Sequence, residues 1–125
     1  VVALSNPTSV SIGLIGQTVL TILDDEDIGR GDLVWSTFLG GSDEDKDCRL
    51  TTDADGNVIT AGRTRSTDFP VAGGFDTTFN GAVDVTVSKF NPTGQLLWST
   101  FLGGSGEDYA YDTVTDSSGN IYASG

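Results

Sequence analysis

The chain has 125 residues, with 18 Asp or Glu against 6 Lys or Arg and a formal charge of −12. A field of that sign repels phosphate backbones and anionic lipid headgroups, so nucleic acid is not an expected partner, whereas hard divalent cations that prefer oxygen ligands are compatible with it. With no His and a single Cys, Cys48, the chain can form neither an internal disulfide nor a Cys/His zinc site. The chain opens on Val1 without the basic and apolar regions of a secretory leader, so any targeting segment is expected upstream or missing. No membrane span is expected in this fragment: Val10–Leu23 is broken by Gly13, Gly16, Gln17 and Thr18 and falls short of the ~18 apolar residues a spanning helix needs.

In chain order, Val2–Leu4 reads as a strand, Ser5–Pro7 as a turn, and Gln17–Leu23 as a second strand that stops at the acidic run Asp24, Asp25, Glu26, Asp27. Strands are predicted over Cys48–Thr52 and Val58–Ala61, around a turn at Asp53–Asn57. There the Asp carboxylate can bond nearby N–H groups, and Gly56 suits a type I turn closed by a bulge. Arg63–Gly81 is a longer connection. Ala82–Phe90 alternates Val83, Val85 and Val87 with Asp84, Thr86 and Ser88, the period of two that sorts side chains onto the two faces of a sheet. Asn91–Gly94 reverses the chain, with Pro92 presetting φ and Gly94 accepting a positive one. Leu96–Leu102 returns as a strand with Trp98 and Phe101 on opposite faces, so the sheet is expected to lie between neighbouring sheets that the chain does not itself contain. Helix caps and 3.6-residue periodicity are absent.

The strongest signal is an internal duplication. Trp35–Ser42, WSTFLGGS, is identical to Trp98–Ser105, and Glu44 and Asp45 recur as Glu107 and Asp108. Thr52, Asp53, Gly56, Asn57 and Gly62 recur without gaps as Thr115, Asp116, Gly119, Asn120 and Gly125, and about half of the aligned positions are identical. The expected organisation is a separate segment 1–27, a linker 28–34, a first repeat 35–97 and a truncated second repeat 98–125. Each copy supplies four short strands in two hairpins, enough for one propeller blade. The expected fold is therefore all-β: a partial β-propeller of four-stranded antiparallel blades, about one and a half repeats long, following the last two strands of a β-sandwich.

Trp98–Gly125, with the STDFP of Ser66–Pro70, the FDTTFNG of Phe75–Gly81 and the SKFNPTG of Ser88–Gly94, resembles the bacterial SBBP-type β-propeller repeat over about Leu33–Gly125. The resemblance implies a bladed fold of the kind found in large secreted or surface-exposed multidomain proteins, and no defined catalytic activity. The first copy departs from the pattern at Lys46–Arg49, where DKDCR replaces the more apolar DYAYD-like run; this suggests an atypical blade at the edge of an array.

VVALSNPTSVSIG through TVLTILDDED resembles the last two strands of a Calx-β domain, a calcium-associated β-sandwich module, and covers only its tail. The resemblance implies that Asp24, Asp25, Glu26 and Asp27 help bind calcium together with carboxylates of loops preceding Val1. Physically, clustered carboxylates repel one another and a divalent ion relieves that repulsion; equally, a short acidic run between domains can be a solvated linker.

The remaining candidates have simpler readings. Asp53, Asp55 and Gly56 lack the spacing and closing Glu of an EF-hand loop, and the second copy has Ser118 in place of Asp55, so hairpin chemistry explains them. Asp43, Glu44, Asp45 and Asp47 are expected on an exposed strand entry or loop, since like charges side by side seldom tolerate burial. Trp35 and Trp98 could stack on carbohydrate, but recurrence at one repeat position favours packing. Cys48 reads as a half-buried core residue. Without His there is no base for a Ser or Cys nucleophile, and nothing marks a facing carboxylate pair. The expected function is a non-catalytic scaffold, adhesion or binding role at a cell surface, with neighbouring repeats and a protein or glycan ligand as partners. The alternatives are a propeller enzyme, since Pro92–Trp98 (PTGQLLW) also resembles the tryptophan docking motif of quinone-dependent dehydrogenases, and a pure calcium-binding module.

Overall fold

The computed structural model describes residues 2–4 and 33–125, and over these the chain is all-β, with antiparallel sheets and no helix. Strand β1 is Val2–Leu4, β2 Leu33–Ser36, β3 Asp45–Thr52, β4 Val58–Thr64, β5 Asp84–Phe90, β6 Leu96–Leu102, β7 Asp112–Thr115 and β8 Ile121–Ser124. They form a two-stranded sheet β1-β2, a four-stranded sheet β3-β4-β5-β6 and a two-stranded sheet β7-β8. The Gln17–Leu23 strand and the acidic run Asp24, Asp25, Glu26, Asp27 lie outside the described residues. β1 finds its partner in β2, with Ala3 opposite Trp35.

Three hairpin turns share one chemistry. Asp53 Oδ1 accepts from the N–H groups of Asp55 and Asn57, Asn91 Oδ1 from those of Thr93 and Gln95, and Asp116 Oδ1 from those of Ser118 and Asn120. In each, a glycine three residues on takes a positive φ (76° at Gly56, 84° at Gly94, 81° at Gly119) and donates its N–H back to the first residue's carbonyl. Gly94 carries a second constraint: a Cβ there would stand 2.6 Å from the Trp35 ring.

The register of the four-stranded sheet sorts its residues onto two faces. Ile59, Ala61, Val85, Val87 and Trp98 share one; Leu50, Val58, Thr60, Ser88, Phe90, Ser99 and Phe101 share the other. Trp98 and Phe101 thus fall on opposite faces, as their spacing predicts. The chain covers both faces itself, contrary to the expectation that only absent sheets would do so. On the Ile59 face, Ala110 and Ile121 of the second copy close a core with Ile59, Ala61, Val85 and Val87. On the other, Trp35 packs on Phe90, ring centroids 5.7 Å apart, in a cluster with Val58, Leu39, Leu50 and Leu96. Further along that face the 65–83 connection folds back, so that Phe69 and Phe79 enclose Phe101 at 6.1 and 5.9 Å. The same connection lines the outer edge of β6, where Ser99 and Phe101 donate N–H bonds to the carbonyls of Ala72 and Asp76. This protects an edge that would otherwise invite pairing with another chain.

The sheets do not coincide with the copies of the duplication. The four-stranded sheet begins at Asp45, inside the first copy, and closes with β6, which opens the second. β2 and β6 are equivalent in sequence, as are β3 and β7, and β4 and β8. The equivalence is spatial as well: Trp35 and Val58 share one core cluster, and Trp98 and Ile121, the counterparts of those two residues, both pack on the Ile59 cluster.

Candidate functional site

The most concentrated polar chemistry lies in the repeated GGS-x-ED loop and what it touches. Asp45 Oδ2 accepts from Gly41 N at 2.9 Å and from Ser66 Oγ at 3.1 Å, and Thr64 Oγ1 donates to Asp45 Oδ1. Asp43 N donates to Ser66 Oγ, while Ser42 donates to Asp68 Oδ1 through both its N–H (2.8 Å) and its hydroxyl (3.0 Å). These two bonds hold the Asp68 carboxyl below its ordinary value. The loop is therefore locked onto the Ser66–Phe69 segment. The expectation that the acidic cluster is simply exposed is corrected at Asp45, whose carboxylate is half-buried because three donors converge on it. Asp43 and Glu44 are exposed; the side chains of Asp47 and Cys48 lie outside the described residues, and with them the reading of Cys48 as core.

In the second copy, Gly104 N donates to Asp108 Oδ2 at 2.8 Å, repeating the Gly41–Asp45 bond. The Asp53 carboxylate, beyond its two turn bonds, receives Asn57 Nδ2 and Lys89 Nζ, both at 2.8 Å. Lys89 first and Asn57 second drive its pKa far below the usual carboxylate range. Asp116 is lowered in the same direction, chiefly by the Asn120 side chain, and it raises the Tyr122 phenol that donates to it. Asp53 is thus spent on its hairpin and the Lys89 pair.

A polar seam joins the copies. Arg49 Nε donates to the Tyr111 carbonyl at 3.1 Å, and the Arg63 guanidinium lies 4.9 Å from the Tyr109 ring centroid. Arg65 bridges Glu44 and Glu107, Lys46 pairs with Glu44, and the Tyr109 hydroxyl donates to Glu107 at 2.6 Å. That hydrogen bond is the main reason the Glu107 carboxyl is lowered and the Tyr109 phenol raised. Arg49, within the stretch where the first copy departs from the repeat pattern, therefore meets the second copy's main chain.

The depression beside this seam, lined by Glu44, Arg63, Thr64, Arg65 and Val83, holds about 40 Å³, far below the ~300 Å³ of a small-molecule site. Among the described residues no three His, Cys, Asp or Glu side chains gather as a metal-binding group, and no helix is long and apolar enough to cross a membrane. Trp35 is buried and Trp98 half-buried against core residues, so neither ring is presented as a stacking platform. One feature escaped the sequence reading: Asp84, at the start of β5, is completely buried. Its only sequence signal was a charge on the alternating Val83–Val87 run.

No family model, curated protein or solved structure matches the chain.

Proposed function

We propose that the chain is a non-catalytic part of a large repeat protein, secreted or exposed at a cell surface, in which these sheets are propeller-type blades and the assembled array serves as scaffold, adhesion or binding module. The observation that carries this reading is the translation of one packing scheme along the chain. Ile59 is 0% exposed beneath the β7-β8 sheet, whereas its sequence counterpart Tyr122, on the outer face of β7-β8, is 56% exposed. The polar signature residues Ser42, Asp45, Asp53, Ser66 and Asp68 are all occupied in holding loops together, which fits a structural element rather than an active site. Neighbouring repeats are its first partners, with a protein or glycan ligand bound by the assembled surface, and Asp24, Asp25, Glu26 and Asp27 bind calcium with carboxylates of a preceding sandwich.

The test is to extend the chain. Gly125 corresponds to Gly62, so a copy of residues 63–102 appended after it supplies equivalents of β5 and β6 alongside β8. The extended protein is expected to melt several degrees higher, and the amides of β8 to gain hydrogen-exchange protection. An unchanged or lowered melting temperature, with β8 still unprotected, refutes the reading.

A further inference from the structure

Asp84 is 0% exposed, and only one of its carboxylate oxygens is engaged: Oδ2 accepts from Asn80 N at 2.8 Å, while Oδ1 has no hydrogen-bond partner. Other acceptors gather beside Oδ1. Seen from the position a Cβ would take on Gly81, Gly106 O lies at 2.3 Å, Asp84 Oδ1 at 2.8 Å and Gly104 O at 2.9 Å. The corresponding position on Gly103 is 2.9 Å from both Asp84 Oδ1 and Asp108 Oδ2. Two carboxylates and two main-chain carbonyls thus face one another across a gap kept narrow by two glycines. Two nearby donors serve other members of the set rather than Oδ1, Ala82 N bonding Gly106 O and Gly104 N bonding Asp108 Oδ2, and each acceptor keeps a further lone pair.

A buried, unpartnered carboxylate oxygen beside other acceptors is costly unless a positive charge or a donor stands among them. From this we propose that Asp84 and Asp108, with the carbonyl oxygens of Gly104 and Gly106, hold a divalent cation, calcium by its chemistry, that pins the start of β5 to the second copy's GGS-x-ED loop. All four ligands are hard oxygens, two of them are charged, and the set is irregular and partly main-chain, which suits calcium better than the strict octahedron of magnesium. The surplus of negative charge on the chain raises the local cation concentration. The proposed ligand set uses none of Asp24, Asp25, Glu26 and Asp27, and the inference goes beyond the scaffold reading.

The experiment titrates calcium chloride into the chelator-stripped full chain by calorimetry and follows melting in parallel. One calcium is expected at this site, with a rise of several degrees in melting temperature. Asp84→Asn places an amide NH2 where it can donate to the Gly104 and Gly106 carbonyls. It is expected to match or exceed the stability of the calcium-free native chain while losing at least about tenfold in affinity, because one of two charged ligands is gone. A chain carrying Asp24→Asn, Asp25→Asn, Glu26→Gln and Asp27→Asn together is expected to keep the response. Absence of any calcium effect on the native chain would mean that water bridges these oxygens, and would overturn the proposal. A response abolished by the four N-terminal substitutions but untouched by Asp84→Asn overturns it too, while leaving the proposed sandwich-tail calcium site standing.

Discussion

At the residue scale, Asp53 shows how a charged group in this chain stabilises a turn. Two main-chain donors, the Asn57 amide and the Lys89 ammonium converge on it. Asp53→Ala is expected to cost about 1.5–3 kcal/mol in urea unfolding, since charge-assisted bonds are lost and Lys89 is left without this partner. Because the folded-state pKa lies below the ordinary 3.8, the contribution is complete at neutral pH and is lost as pH falls below about 4 toward the folded value. Melting temperatures taken from pH 6 to pH 2 should therefore drop more steeply for the native chain than for Asp53→Asn. These turns were legible in the sequence because everything they need lies within five residues. The Asp45–Thr64–Ser66 lock was not, since its partners sit on a separate strand and loop, and the burial of Asp84 depends on loops folded from both sides.

At the scale of elements, strand positions followed from alternation and turn residues, and β5 and β6 fall where the Val83–Val87 alternation and the Asn91–Gly94 turn put them. What the sequence could not convey was where one sheet stops and the next starts, because a periodic string has no marked origin. The two equivalent phenylalanines after β2 and within β6 show what that origin decides. Phe101 is 1% exposed between Phe69 and Phe79, whereas Phe38 is 79% exposed. Phe101→Ala is expected to cost about 3–5 kcal/mol. Phe38→Ser should leave unfolding within about 0.5 kcal/mol of the native value and improve solubility, as measured by chemical denaturation and by the concentration at which the protein precipitates.

Across the whole molecule, two long-range tendencies oppose one another. A charge of −12 keeps copies apart, while the outer face of β7-β8 presents Val114 and Tyr122, with Tyr111 exposed just before β7. Near 10 mM salt the repulsion extends roughly 30 Å and dominates; at 1 M it is screened within about 3 Å. Sedimentation is expected to show monomers at low salt and reversible self-association at high sodium chloride, weakened by Val114→Lys with Tyr122→Lys. This exposed face was not legible from composition alone: Tyr122 is 56% exposed, whereas its counterpart Ile59, one repeat earlier, is 0% exposed beneath the β7-β8 sheet.

That the four-stranded sheet takes its last strand, β6, from the second copy has a consequence for how such a chain can change length. A genetic duplication or excision spanning one full period of 63 residues, wherever its breakpoints fall, restores the same succession of strands and loops. No junction has to coincide with a domain boundary. Unequal recombination can therefore lengthen or shorten the array without first finding a permissive seam.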